Sequence, residues 1–279
     1  MTARYSPTDT VAGQGRARLC RVMTDAGPRW GVVVGGHVHE VGGDPFGIWE
    51  PGPRFTSLDE APLLAPTVPT KIICVGLNYA AHADESGAQV PSEPLLFFKP
   101  PSALVGPGDP VVLPRQSGRV DYEAELGIVI GRVEGRRCRN VAPDQAWDFV
   151  LGVTCGNDVT ARDLQRRDDQ WTRAKGFDTF CPLGPWIVTG LLEADVSDLE
   201  ITCRVNGDLC QQARTSDMIV SPAELIAFAS SIMTLEPGDV IMTGTPEGVG
   251  PLNAGDLVEV RVENIGMLGN PVQGAPSRG

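Results

Sequence analysis

Gly118-Arg119-Val120-Asp121-Tyr122-Glu123-Ala124-Glu125-Leu126-Gly127-Ile128-Val129-Ile130-Gly131 is the stretch around which the chain is organised. It reads as a strand, because Val120, Tyr122, Leu126 and the apolar run Ile128–Ile130 suit a pleated surface. Alternate side chains of a strand share a face, so Asp121, Glu123 and Glu125 are expected to point the same way. Three carboxylates on one face repel one another beside a run that should be buried. A solvated outer face tolerates this, whereas a partly buried one needs a cation, and hard oxygen ligands suit Mg²⁺, Mn²⁺ or Ca²⁺. Both readings stand at this point.

Outward from this stretch, 279 residues with 42% hydrophobic and 21% charged composition can bury a sizeable core. That length suggests one large domain with a small appendage. The formal net charge of −12 argues against nucleic-acid binding, which relies on clustered Lys and Arg. Seven scattered Cys with no CxxC indicate neither a disulfide framework nor a zinc site, and they point to a reducing cytoplasmic compartment. No apolar run is long enough for a membrane span, and the N-terminus lacks the apolar core of a secretory signal.

Residues 1–17 are small and polar and are expected to form a mobile tail. Arg18–Thr24, Trp30–Val34 and His37–Val41 predict a small antiparallel unit, and the Pro- and Gly-dense residues 42–69 a wrap or linker. The domain reading is therefore tail 1–17, small β unit with linker 18–69, and main domain 70–279. Within the last, Lys71–Val75 predicts a strand, Tyr79–Glu85 a short helix and Phe97–Lys99 a short strand. A helix is expected near Pro143–Asp148, then a strand over Phe149–Cys155 and a loop entering a helix over Asn157–Gln165. Lys175–Pro185 is rich in Gly and Pro and reads as a loop. Asn206-Gly207 joins a hairpin, and Ser221-Pro222-Ala223-Glu224 opens a helix to about Thr234. Val240–Thr243 and Leu257–Val262 are further strands, and the balance is α+β.

Histidines are scarce. His37 and His39 read as surface residues, whereas His82 has Glu85 at i+3 on the same helical face. A carboxylate that orients an imidazole is half of a general-base pair, and an ordinary surface ion pair has the same spacing. Asp158 follows an apolar strand and is either a carboxylate for a metal or a helix N-cap, with Thr160 and Asp163 as a capping box. Lys175, in its Gly/Pro-rich loop, matters only if it faces the site. Thr243–Gly250 lacks the Gly-Lys-Ser/Thr of a phosphate loop, which leaves close approach of its backbone to a small ligand.

Six segments then fall in one order: Leu77-Asn78-Tyr79 with His82 and Glu85; Phe97-Phe98-Lys99-Pro100-Pro101-Ser102; Asp121–Leu126; Asn157–Gln165; Lys175-Gly176-Phe177-Asp178-Thr179; and Thr243–Gly250. Over residues 70–272 this resembles the fumarylacetoacetate hydrolase family. The resemblance implies a rolled mixed β-sheet of the family's C-terminal type, with a small antiparallel N-terminal domain, in a homodimer. It implies Mg²⁺ (or Mn²⁺) on Glu123, Glu125 and Asp158, with Asp121 a motif residue and not a ligand. His82 and Glu85 match the pair that activates water, Lys175 the lysine near the reacting oxygen, and Arg162, Gln165 and Thr245 positions that line the substrate. The expected activity is hydrolysis of a C–C bond in a small acylpyruvate or related β-diketo acid. Decarboxylation of a 2-oxo acid, or isomerisation or tautomerisation of a dicarboxylate, is the alternative on the same site. A metal-stabilised binding protein without catalysis is the reading outside the enzymes.

Overall fold

The computed structural model describes residues 15–275. In chain order its elements begin with β1 (Ala17–Thr24), β2 (Gly27–Val34), β3 (His37–Gly43), β4 (Trp49–Ser57), β5 (Leu63–Leu64), β6 (Ile72–Gly76), α1 (Ala80–Ser86) and β7 (Leu95–Lys99). Then come β8 (Leu104–Val105), β9 (Val111–Leu113), β10 (Val120–Tyr122), β11 (Ala124–Ile130), α2 (Pro143–Ala146), β12 (Val150–Asn157), β13 (Thr160–Ala161), α3 (Arg162–Arg167) and α4 (Thr172–Lys175). The remainder is β14 (Cys181–Thr189), α5 (Glu193–Val196), β15 (Glu200–Val205), β16 (Asp208–Arg214), α6 (Pro222–Ile232), β17 (Val240–Met242), β18 (Gly250–Pro251), β19 (Leu257–Val262) and β20 (Gly266–Gly274). The fold is α+β, and its sheets are mixed: β17–β6, β14–β8 and β20–β9 are parallel among antiparallel pairs.

The largest sheet runs β4-β3-β2-β1-β14-β12-β11-β17-β6-β7, with β5 beside β1 and β8 beside β14. The N-terminal meander β1–β4 joins it through β1 and β14, registered Ala17↔Thr189. All seven residues of β11 are buried. Ala124 and Leu126 pack with Val153, Cys155 and the five-stranded sheet β16-β15-β19-β20-β9. Farther along, Ile128 and Ile130 meet Leu225 and Ile226 of α6, each fully buried and worth about 1.5–3 kcal/mol. Val129, on the opposite face, meets Leu19, Val32 and Ile187. Covering both faces explains the unbroken apolar run Ile128–Ile130.

Several expectations need correction. The stretch is not one strand: it breaks at Glu123, with β10 in a three-stranded sheet β13-β10-β18 and β11 in the large one. Residues 42–69 are more than a linker, because β4 adds a strand; its Pro51 and Pro53 are tolerated since β4 lies at the sheet edge. The Gly/Pro-rich segment runs into β14, a wholly buried central strand, and β20 is likewise unread from sequence. The β12–β14 register slips between Val153 and Cys155, opposite Gly184 and Pro185, so the missing donor falls at an irregularity. The expected tail lies outside the described residues over 1–14; Arg16 pairs with Asp195 at 2.5 Å and β1 opens at Ala17.

The hairpin and the helix start match expectation. The Asn206-Gly207 hairpin is β15–β16. Helix α6 starts with a reciprocal Ser221/Glu224 capping box and Pro222 in its first turn. His37 and His39 are partly buried, with ring nitrogens 3.0 and 3.1 Å from the carbonyls of Gly35 and Gly52. All seven cysteines are free thiols. Among the described residues no helix is long and apolar enough to cross a membrane.

Candidate metal centre and catalytic cavity

Strand pairing brings the distant carboxylates together. Ala124 stands opposite Asn157 and Glu125 opposite Gly156. At this end of the ladder Asp158 N–H donates to Glu123 O at 2.9 Å, and Glu123 N–H donates to Asn157 Oδ1 at 2.9 Å. These two bonds seat Glu123 and Asp158 side by side. One oxygen each from Glu123, Glu125 and Asp158 lie within 4.8 Å of one another, and all three residues are buried. Asp121 leaves this group, since β10 turns into the other sheet. It accepts from Arg119 Nε and Arg162 Nε at 2.8 Å each. Nor is Asp158 a helix cap: α3 has no side-chain cap, and Asp163 accepts instead from Ser117 and the Gly118 amide.

Four cations surround these acids. Lys175 closes α4, is 2% exposed, and donates to Glu123 Oε2 at 2.9 Å and Asp158 Oδ2 at 2.7 Å. Arg162 opens α3 and donates to Glu123 at 2.6 Å, Asp121 at 2.8 Å and Gln165 at 2.6 Å. Lys99, at the end of β7, stands 2.5 Å from Asp158 Oδ1 and donates to the carbonyls of Val159 and Lys175. Arg119 serves Asp121 alone. Burial opposes ionisation of Glu123, yet Lys175 and Arg162 outweigh it and hold its carboxyl below the usual carboxylate range. Burial likewise opposes the charge of Lys175, and Asp158 and Glu123 raise it.

Glu125 is the exception. Its side chain accepts one hydrogen bond, from the Gly244 amide at 2.8 Å, and no cation touches it among the described residues. Burial, then Asp158 and Glu123, push its carboxyl well above the carboxylate range. Asp158 Oδ1 is also buried, with Lys99 beside it but no aligned hydrogen bond among the described residues. A buried carboxylate that no cation touches, in an all-oxygen cluster, fits a hard divalent cation.

The cluster opens on a cavity of about 420 Å³ lined by Glu123, Asp158, Lys175, Arg162 and Gln165. His82, Glu85 and Thr245 complete the same wall, so eight of the nine residues singled out from sequence line it and Glu125 joins through the cluster. His82 Nδ1 lies 3.4 Å from Glu85 Oε2, and the Gly248 amide approaches both Glu85 oxygens at 3.2 Å. The glycine-rich loop therefore serves the acids directly. Gly244 has φ +96° and Gly248 φ +91°, and a Cβ would fall 2.7 Å from Asn78 Cβ and 2.4 Å from Cys210 O. Thr245 spends its hydroxyl on Ala124 O and Gln211. Lys99, Asn157, Trp171 and Arg166 were not assigned roles from sequence. The visible signal for Lys99 is a lone charge ending the otherwise apolar run Leu95–Phe98.

The fumarylacetoacetate (FAA) hydrolase C-terminal family matches residues 71–273, and the Rv2993c-like N-terminal family residues 17–66. The chain belongs to the fumarylacetoacetate hydrolase family. It is 51% identical over 237 residues to Protein Rv2993c of Mycobacterium tuberculosis, covering 84% of this chain and 86% of that one. It is 47% identical over 220 residues to a mitochondrial oxaloacetate tautomerase of Xenopus laevis, covering 75% of this chain and 68% of the relative. The crystal structure of a 2-hydroxyhepta-2,4-diene-1,7-dioate isomerase from Mycobacterium marinum superposes with TM-score 0.84 at 44% identity, covering 94% of this chain and all of that one.

Proposed function

We propose that the chain is a divalent-metal-dependent tautomerase or isomerase that moves a proton on a small anionic 2-oxo acid. The observation that carries this is the buried Glu123–Glu125–Asp158 cluster, in which no described cation touches Glu125, opening on the cavity that holds His82. The tautomerase and isomerase names of its relatives support proton transfer over the C–C hydrolysis that the family resemblance put first. Glu123, Glu125 and Asp158 would hold Mg²⁺ or Mn²⁺, which when bound polarises a carbonyl and acidifies the neighbouring C–H. His82 takes the proton from that carbon, and Glu85 orients the imidazole through Nδ1. The proton returns at oxygen or at another carbon, so neither water nor a redox partner is consumed. Lys175 faces the oxygen on which negative charge develops. The family's homodimer belongs to the same reading, and the half-exposed Phe98 on edge strand β7 supplies an apolar face for it; a one-chain mass in solution would remove it.

The test is turnover of the oxaloacetate enol with Mg²⁺ in D₂O. Faster ketonisation with deuterium at carbon 3 and no other product supports the reading. Carbon dioxide plus pyruvate means decarboxylation, and free carboxylic acid plus pyruvate from an acylpyruvate means hydrolysis. Inactivity on all of them overturns the enzyme reading. His82→Ala should still bind Mg²⁺ and lose roughly 10²–10⁴-fold of turnover, and unimpaired turnover would take His82 out of the base role.

A further inference from the structure

A second substrate carboxylate needs a donor that the acids of the site have not already taken. Lys175, Arg162 and Arg119 line the cavity but are already committed to Glu123, Asp158 and Asp121. Glu85 is held by His82 and the Gly248 amide.

One cation on the wall differs. Arg166 lines the cavity, is exposed, and has no hydrogen-bond or ion-pair partner among the described residues. Arg162, Gln165 and Arg166 stand at i, i+3 and i+4 of α3 and share its cavity face. Arg162 is anchored on Glu123, which places Arg166 one turn farther out, about 6 Å along the axis. Arg167 is next in sequence but off the cavity wall, 3.8 Å from Asp168.

We infer that Arg166 receives the substrate carboxylate remote from the reacting carbonyl. This rests on the metal-dependent reading above and names the residue that selects a diacid over a monoacid within it. A guanidinium at a cavity mouth binds a carboxylate bidentately and with some screening by salt.

The test is calorimetric binding to the Mg²⁺-loaded protein of two inert probes, 2-oxoglutarate and its 5-methyl ester. The native protein should bind the diacid about tenfold more tightly, the lower end for a charge-assisted hydrogen-bonded pair. Arg166→Gln should remove that preference while changing ester affinity less than about twofold, and Arg167→Gln should keep it. With oxaloacetate, Arg166→Gln should raise KM about tenfold and leave kcat within about twofold. No preference in the native protein, no binding of either probe, a preference that survives Arg166→Gln, or equal loss in Arg167→Gln overturns the assignment. Because binding needs no turnover, a protein that prefers the diacid through Arg166 but converts no substrate defeats the proton-transfer reading alone.

Discussion

Asp121 and Glu125 lie four residues apart, both buried, and yet meet opposite surroundings. Asp121 is bracketed by Arg119 and Arg162, whereas Glu125 has one backbone amide and no cation. Alternation along a strand makes them equivalent; the break at Glu123 separates them, sending β10 to one sheet and β11 to another. A buried carboxylate with two guanidiniums is a finished structural unit. One crowded by two other carboxylates is unfinished, and a ligand completes it.

Substitutions can break this contrast. The largest effect is expected from Glu125→Gln, which removes a ligand: Mg²⁺ affinity should fall more than about a hundredfold. The metal-free protein should lose no stability, since the amide oxygen keeps the Gly244 bond and no ion pair is broken. Calorimetry and denaturant unfolding read both, and normal Mg²⁺ binding would erase the distinction drawn here. Asp121→Asn is the converse case. It should cost about 3 kcal/mol of unfolding free energy, because Arg162 loses part of its cover, while Mg²⁺ affinity stays within about tenfold. Lys99→Met leaves Asp158 with Lys175 as its cation. In EDTA it should be about 2 kcal/mol less stable than the native protein, and Mg²⁺ should stabilise it more than it stabilises the native chain. Equal Mg²⁺ effects on the two melting temperatures would show that Lys99 does not share the charge of the cluster.

The smallest and most diagnostic effect is on pH. Glu125 sits above its ordinary value in the metal-free fold, through burial and then Asp158 and Glu123. Its contribution to stability is therefore full below the ordinary carboxylate range and is lost as pH rises through the folded value. Glu123 works in the other direction: its depressed value contributes stability at neutral pH that acidification removes. Mg²⁺ requires the ionised form of Glu125, so its binding should release a proton and tighten by up to about tenfold per pH unit. Affinity that is flat across the neutral range would mean Glu125 is already ionised before the metal arrives.

Local chemistry made much of this legible. The Asn206-Gly207 turn, the Ser221/Glu224 capping box and the apolar run at Ile128–Ile130 each specify their element from neighbours along the chain. The hairpin register follows from its turn. Strand β14 was not legible, because Pro182, Gly184 and Pro185 argue against a central strand; Pro185 is accommodated at the slipped pairing with β12, and Pro182 lies where β14 meets the short β8. Lys99 was hidden for a related reason. Its partners, Asp158 and the carbonyls of Val159 and Lys175, are 59 to 76 residues away along the chain.

Taken alone, the sequence determined which residue types were available: acids at alternate positions beside a buried run, an imidazole one turn from a carboxylate, and motifs in the order of a known family. Tertiary structure decided which acid is neutralised by protein and which is left without a cation among the described residues. That choice depends on the β11–β12 register and on the parting of β10 from β11. Cross-strand pairing between residues twenty or more apart along the chain sets both, and no local pattern encodes it.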